Sequence, residues 1–291
     1  MAILNMISKD DRAGEQNGNE VLSAEARDFY RRAMTTLQEE RLPFLVGGAY
    51  AYARYTGVVR HTKDFDIFVR PRDYDRTLAI FEKMGLKVER SFAHWLGKGY
   101  LGEYFVDVIF GSGNGVARVD DLWFEHAVDE EVLDTPAKLI PAEEMIWSKS
   151  FIMERERYDG ADVAHLLLHS AENLDWQRLL YRFGSNGDWR VLLSHLTLFG
   201  YIYPGEAHRI PESVLETLTE RLKRREDGEP TENRLCRGTI LSRSQYLIDV
   251  EQGGFQDARL RPVGNMSPEE IEFWTEAAKI DGPDAQNAQK K

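Results

Sequence analysis

Residues Phe44–Val69, FLVGGAYAYARYTGVVRHTKDFDIFV, decide how the rest of the chain is read. Phe44, Leu45 and Val46 form a short apolar run, read as a strand, that ends at Gly47 and Gly48, where a backbone without side chains can turn sharply and approach a ligand. The small-residue stretch Ala49–Tyr55 predicts a helix. Its first turn would point unpaired N–H groups and the positive end of its dipole at the glycine turn, which makes a seat for phosphate. After the polar run Arg60, His61, Thr62 and Lys63 comes DFDIFV, and the two-residue period of a strand puts Asp64 and Asp66 on one face. Neighbouring carboxylates repel each other, so the pair calls for a cation between them.

Composition narrows the setting. With 291 residues, 42% hydrophobic and 11% aromatic, the chain can bury a proper core over one large or two modest domains. A formal net charge of -12 and a pI near 5.2 argue against general affinity for nucleic acid or an anionic membrane. The single cysteine, Cys236, allows neither an internal disulfide nor a cysteine zinc cluster, which suits a reducing compartment. Residues 1–20 hold no continuous apolar h-region and no run is long enough to span a bilayer, so the expectation is a cytoplasmic protein without a membrane partner.

Taken in order, 1–20 is expected to be a disordered N-terminus. From Ser23, a candidate N-cap, Phe29, Ala33 and Leu37 recur at helical spacing as far as Glu40. Pro71 opens a further helix that stops at Gly85. The segments KVERSF and GEYFVDVIFG read as strands flanking a glycine-containing connection through Trp95, Gly97 and Gly99. The second of them carries Asp107 within Phe105, Val106, Val108, Ile109 and Phe110, a run apolar enough to imply burial on both faces. A carboxylate there must be paired, bound to metal or protonated. The economical partner is a cation shared with Asp64 and Asp66. A strand pair is expected around Trp123–Val128 and Glu131–Leu133. Beyond Pro141, helical patterns dominate up to about Arg225, and a last short helix, SPEEIEFWTEAAK, precedes a disordered end. The expected fold class is α+β: a mixed β-sheet with flanking helices over 21–140, then a mainly helical part over 141–280 that completes a substrate cleft, with 281–291 a disordered tail.

With the glycine pair, Arg60-x-Thr62-x-Asp64-x-Asp66 and the later Asp107 strand in hand, the chain resembles the nucleotidyltransferase superfamily, whose best-known fold is the palm of DNA polymerase beta. The match runs from about Leu42 to Phe110 and looks most like the minimal bacterial branch, which includes antibiotic nucleotidyltransferases and abortive-infection toxin nucleotidyltransferases. Lys149, Arg155, Arg157, Asp159 and Asp162 resemble a second, less specific motif found in parts of that branch.

The resemblance implies roles. Asp64, Asp66 and Asp107 would be catalytic and would bind two Mg²⁺ (or Mn²⁺) ions that clamp the attacking and leaving oxygens at an α-phosphate. Asp107 would take the proton of the incoming hydroxyl. Gly47, Gly48, Arg60, Thr62, Lys63 and Lys149 would contact the nucleotide phosphates. The partners implied are an NTP, ATP first, and a hydroxyl acceptor, a small molecule or protein in preference to RNA because the chain is acidic. The alternative is a non-catalytic module of the same fold that binds nucleotide or a protein partner, as in a toxin–antitoxin system.

Other patterns carry less. His165 and His169 lie four apart with Asp162 one turn before, but HLLLH lacks the glutamate of a zinc-protease helix. GSGNGV imitates a dinucleotide turn with Val116 in place of the third glycine.

Overall fold

The computed structural model describes residues 22–60, 64–184, 187–224 and 234–281. Two compact units make up the chain. One runs up to Gly111 and includes Arg118–Pro141; the other comprises Ser112–Ala117 and the chain from Ala142 onward.

In the first unit, helix α1 (Ala24–Glu39) begins at Ser23, whose hydroxyl accepts the Ala26 N–H, and buries Phe29, Tyr30, Ala33, Met34 and Leu37. Strand β1 (Leu45–Val46) leads into α2 (Gly48–Thr56), and β2 (Asp64–Phe68) follows. Pro71 opens a 3-10 turn, Pro71–Asp73, that runs into α3 (Tyr74–Lys83). Next come β3 (Lys87–Phe92), β4 (Leu96–Leu101) and β5 (Tyr104–Ile109). A short helix α4 (Asp121–Glu125), β6 (Val128–Val132) and β7 (Thr135–Leu139) complete the unit. The strands form one seven-stranded sheet in the order β3-β4-β5-β2-β1-β7-β6. It is mixed: β2 runs parallel to β5 and antiparallel to β1, which in turn is parallel to β7.

Two local expectations need correction. LGKGYL is not a connection but strand β4, paired antiparallel with both β3 and β5. Its glycines are there for packing: a Cβ on Gly97 would lie 2.4 Å from the Tyr74 hydroxyl oxygen, and one on Gly99 would lie 2.5 Å from Cδ2 of Phe81. Both rings belong to α3. Trp123 lies on helix α4 and not on a strand, because Asp120 caps the Leu122 N–H and starts a helical turn. The strand pair falls later, at β6 and β7.

Burial separates the two faces of the sheet. Phe65, Ile67, Val106 and Val108 are fully buried, and Phe65 stacks on Tyr30 of α1 with ring centroids 4.8 Å apart. Because Gly97 and Gly99 stand opposite Val108 and Val106, α3 covers that same face. Alternation sends Asp64, Asp66, Phe68, Phe105, Asp107 and Lys98 to the other face.

The second unit is mainly helical, with α5 (Ala142–Ser150), α6 (Gly160–Ser170), α7 (Trp176–Arg182), α8 (Trp189–Ile202) and α9 (Glu212–Lys223) as its principal elements. Glu144, fully buried on α5, is held by Arg178 at 2.7 Å and Arg182 at 3.0 Å from α7. The loop Ser112–Ala117 belongs to this unit: Gly113 lies against Trp274, and the Asn114 side chain donates to the Ile240 carbonyl at 2.9 Å. The whole is the α+β arrangement expected, a mixed sheet with flanking helices followed by a mainly helical part. No helix of the described residues is long and apolar enough to cross a membrane.

Gly99→Ala tests the packing account of β4. The added methyl meets the buried Phe81 ring, and overpacking of this kind costs about 1–3 kcal/mol. The expected outcome is a lowered urea midpoint at unchanged m-value.

Candidate active site

Asp66 and Asp107 are direct register partners on the parallel pair β2 and β5, and Asp64 stands two residues before Asp66 on the same face. Backbones in such a pair lie about 4.8 Å apart, so the resemblance's three acids share one patch of sheet. They differ in exposure. Asp64 is exposed and Asp66 half-buried, while the Asp107 side chain keeps 13% of its surface accessible. Two residues beyond Asp66 on this face, Phe68 stacks on Trp123 of α4 with centroids 5.4 Å apart.

The glycine pair is shaped by this patch. Gly47 extends the sheet, donating its N–H to the Asp66 carbonyl at 3.0 Å, and a Cβ on it would lie 2.2 Å from Cε2 of Phe68. Gly48 has φ +53, and its Cβ would lie 1.7 Å from Oδ2 of Asp66. The Asp66 carboxylate therefore rests against the bare backbone at the start of α2. With the Gly47 N–H committed to the sheet, the donors that lack an intrahelical carbonyl are those of the first turn of α2, from Gly48 onward.

One charged side chain at this patch escaped the sequence reading. Lys98 of β4 stands opposite Asp107 in register, and its Nζ lies 2.8 Å from Oδ1 of Asp107 and 4.1 Å from the centroid of the Phe105 ring. Oδ1 is buried, and Lys98 is the cation paired with it. Glu89 of β3 faces Lys98 from the other side, which makes a row Glu89, Lys98, Asp107, Asp66 across four strands. The signal that could have revealed Lys98 was the alternation in LGKGYL, whose glycines suggested a connection instead. Burial pushes the Asp107 carboxyl above its ordinary value; Lys98 pulls it back and the Asp64 charge pushes it further up.

The remaining expected phosphate contacts are dispersed. Arg60 is exposed, with its guanidinium 4.3 Å from the Tyr52 ring centroid and 3.3 Å from the Tyr52 hydroxyl. Thr62 and Lys63 lie outside the described residues. Lys149 belongs to the second unit, where its Nζ bridges Asp159 at 2.8 Å and Asp162 at 2.7 Å. Burial works against ionisation of Asp159, but Arg157 and Lys149 outweigh it and hold the carboxyl below its usual range.

The donor chemistry at the sheet patch fits a hard divalent cation, since it consists of carboxylate oxygens. The missing Cβ at Gly48 leaves room for the Asp66 carboxylate beside Asp64. Among the described residues no three or more His, Cys, Asp or Glu are grouped closely enough to hold a metal ion, neither Asp64, Asp66 and Asp107 nor His165, His169 and Asp162.

The raised Asp107 pKa gives a pH-dependence. Folding holds this proton to higher pH than the unfolded chain does, so the group's contribution to stability is full below the ordinary carboxylate value and is lost as pH rises through the raised one. In Asp107→Asn this loss is absent, so the variant's Tm should gain on the wild type as pH climbs from about 3 to 7. Separately, Lys149→Met removes the ammonium that two largely buried acids share. Breaking a buried ion pair in this way costs about 3–5 kcal/mol, readable as a fall in the urea midpoint.

No protein-family model and no curated protein matches the chain. Among solved structures it is similar to ANT(2")-Ia in complex with adenylyl-2"-tobramycin, at 15% identity over 62% of this chain and 99% of that one, with a TM-score of 0.39. It is also similar to the lincosamide antibiotic adenylyltransferase LnuA bound to lincomycin, at 15% identity over 50% and 96%, TM-score 0.36. An antigenic nucleotidyltransferase-like protein from Paracoccidioides brasiliensis matches at 11% identity over 67% and 99%, TM-score 0.44. These are likenesses of fold, and the activities in their names are those proteins' own.

Proposed function

We propose that this protein is a Mg²⁺-dependent nucleotidyltransferase that moves a nucleoside monophosphate from an NTP, ATP first, to a hydroxyl acceptor and releases pyrophosphate. The observation that carries the reading is the register of β2 against β5, which sets Asp107 directly opposite Asp66 with Asp64 on the same face. Asp64 and Asp66 would hold Mg²⁺ with the nucleotide. When bound, the ion neutralises charge on the phosphate oxygens and favours departure of pyrophosphate.

The chain's own groups do the rest. The N–H groups at the start of α2 receive phosphate oxygens, favoured by the positive end of the helix dipole. Asp107 takes the proton from the acceptor hydroxyl as its oxygen forms a bond to the α-phosphorus. The bond from that phosphorus to the bridging oxygen breaks, and pyrophosphate leaves with the electron pair. A base works best when its pKa approaches the working pH, and burial moves Asp107 in that direction. Lys98 keeps a population of it ionised. A small-molecule or protein hydroxyl suits the chain's net charge of -12 better than RNA does.

Calorimetric titration of ATP with Mg²⁺ should show metal-dependent binding to the wild type and its loss in the double variant Asp64→Ala, Asp66→Ala. A wild type that binds no nucleotide in the presence of Mg²⁺ or Mn²⁺ ends the reading. With binding in hand, α-labelled ATP incubated with candidate acceptors should transfer label only when Asp107 is intact.

A further inference from the structure

The row of charge across the sheet sets how many cations the site needs. Asp107 stands between an acid on one side, Asp66, and a base on the other, Lys98. The base sits 2.8 Å from its Oδ1, and Asp64 on the same face acts against its charge. Lys98 is itself fixed: only 21% of its side chain is exposed, Phe105 lies under its ammonium at 4.1 Å, and Glu89 faces it from β3. With Asp107 and the Phe105 ring against it, Lys98 does not swing away without leaving Asp107 partly buried and without this counter-charge. Lys98 already pairs with Asp107, which leaves Asp64 and Asp66 as the acids a divalent cation would join.

We propose that the Lys98 ammonium stands where a second divalent cation would otherwise be required, so that the site binds one metal ion per chain, at Asp64 and Asp66, while Asp107 does not coordinate. The inference rests on the nucleotide-transfer reading and narrows it: Lys98 is the positioning residue for Asp107. It fixes the carboxylate on this face of the sheet and supplies a positive charge beside it. The balance of the transfer step is unchanged, since the proton still passes from acceptor hydroxyl to Asp107.

The test counts metal and does not depend on turnover. Mn²⁺ is titrated into the full chain saturated with α,β-methylene-ATP, which cannot be cleaved at the reacting bond, and free Mn²⁺ is read by its paramagnetic resonance signal. One Mn²⁺ per protein–nucleotide complex is expected in the wild type, in Asp107→Asn and in Lys98→Arg. Lys98→Met should acquire a second ion, because Asp107 is then released to coordinate. Two ions in the wild type, falling to one in Asp107→Asn, overturn the assignment of Lys98 and leave the nucleotide-transfer reading standing. No Mn²⁺ retained by the wild-type complex overturns both. The wild type and the near-isosteric Asp107→Asn decide the matter even if Lys98→Met does not fold.

Discussion

Like charges facing each other across a parallel strand pair are the constraint on which the candidate site depends. Asp66 and Asp107 are register partners, with Asp64 on the same face, and the Asp64 charge pushes the Asp107 carboxyl up. Such a cost is borne only where something offsets it, and the offsets are arranged around the acids. Lys98 closes on Asp107 from β4. On the opposite flank, the Asp66 carboxylate lies against the glycine backbone where α2 begins and the helix dipole is positive.

The glycines thus answer to more than a ligand. Gly47 is bare because Phe68 lies over it, and Gly48 because the Asp66 carboxylate does. A side chain at either position would disturb the acid patch before any nucleotide arrived. The sequence reading assigned the pair to phosphate approach; the packing adds that the same bareness lets β1 run close beside β2, and Gly47 donates its N–H into that sheet.

How far the site could be read from sequence follows from periodicity. DFDIFV alternates cleanly, so the shared face of Asp64 and Asp66 was legible, and the apolar surroundings of Asp107 showed that it needed a partner. The partner itself was not legible. LGKGYL has two glycines, residues that weaken strands in isolation, and what makes them acceptable is the contact of Tyr74 and Phe81, more than ten positions away in the chain. A tertiary contact therefore decided both that β4 exists and that Lys98 points at Asp107. The same holds for Trp123: its aromatic and branched surroundings suggested a strand, but a capping aspartate one turn earlier wound it into a helix. In the second unit the amphipathic helices were legible. The bridging of Lys149 by Asp159 and Asp162 was not, since the three appeared only as a charged motif.

The loop Ser112–Ala117 has a consequence for how the protein divides. It lies between two stretches of the first unit yet belongs to the second, with Gly113 against Trp274 and Asn114 bonded to the Ile240 carbonyl. Each unit is therefore discontinuous in sequence, and no single break in the polypeptide separates the two cleanly. During synthesis the sheet unit can complete itself soon after Pro141 emerges, but the loop's partners, Ile240 and Trp274, are made far later. The order of translation leaves that short segment waiting for most of the chain.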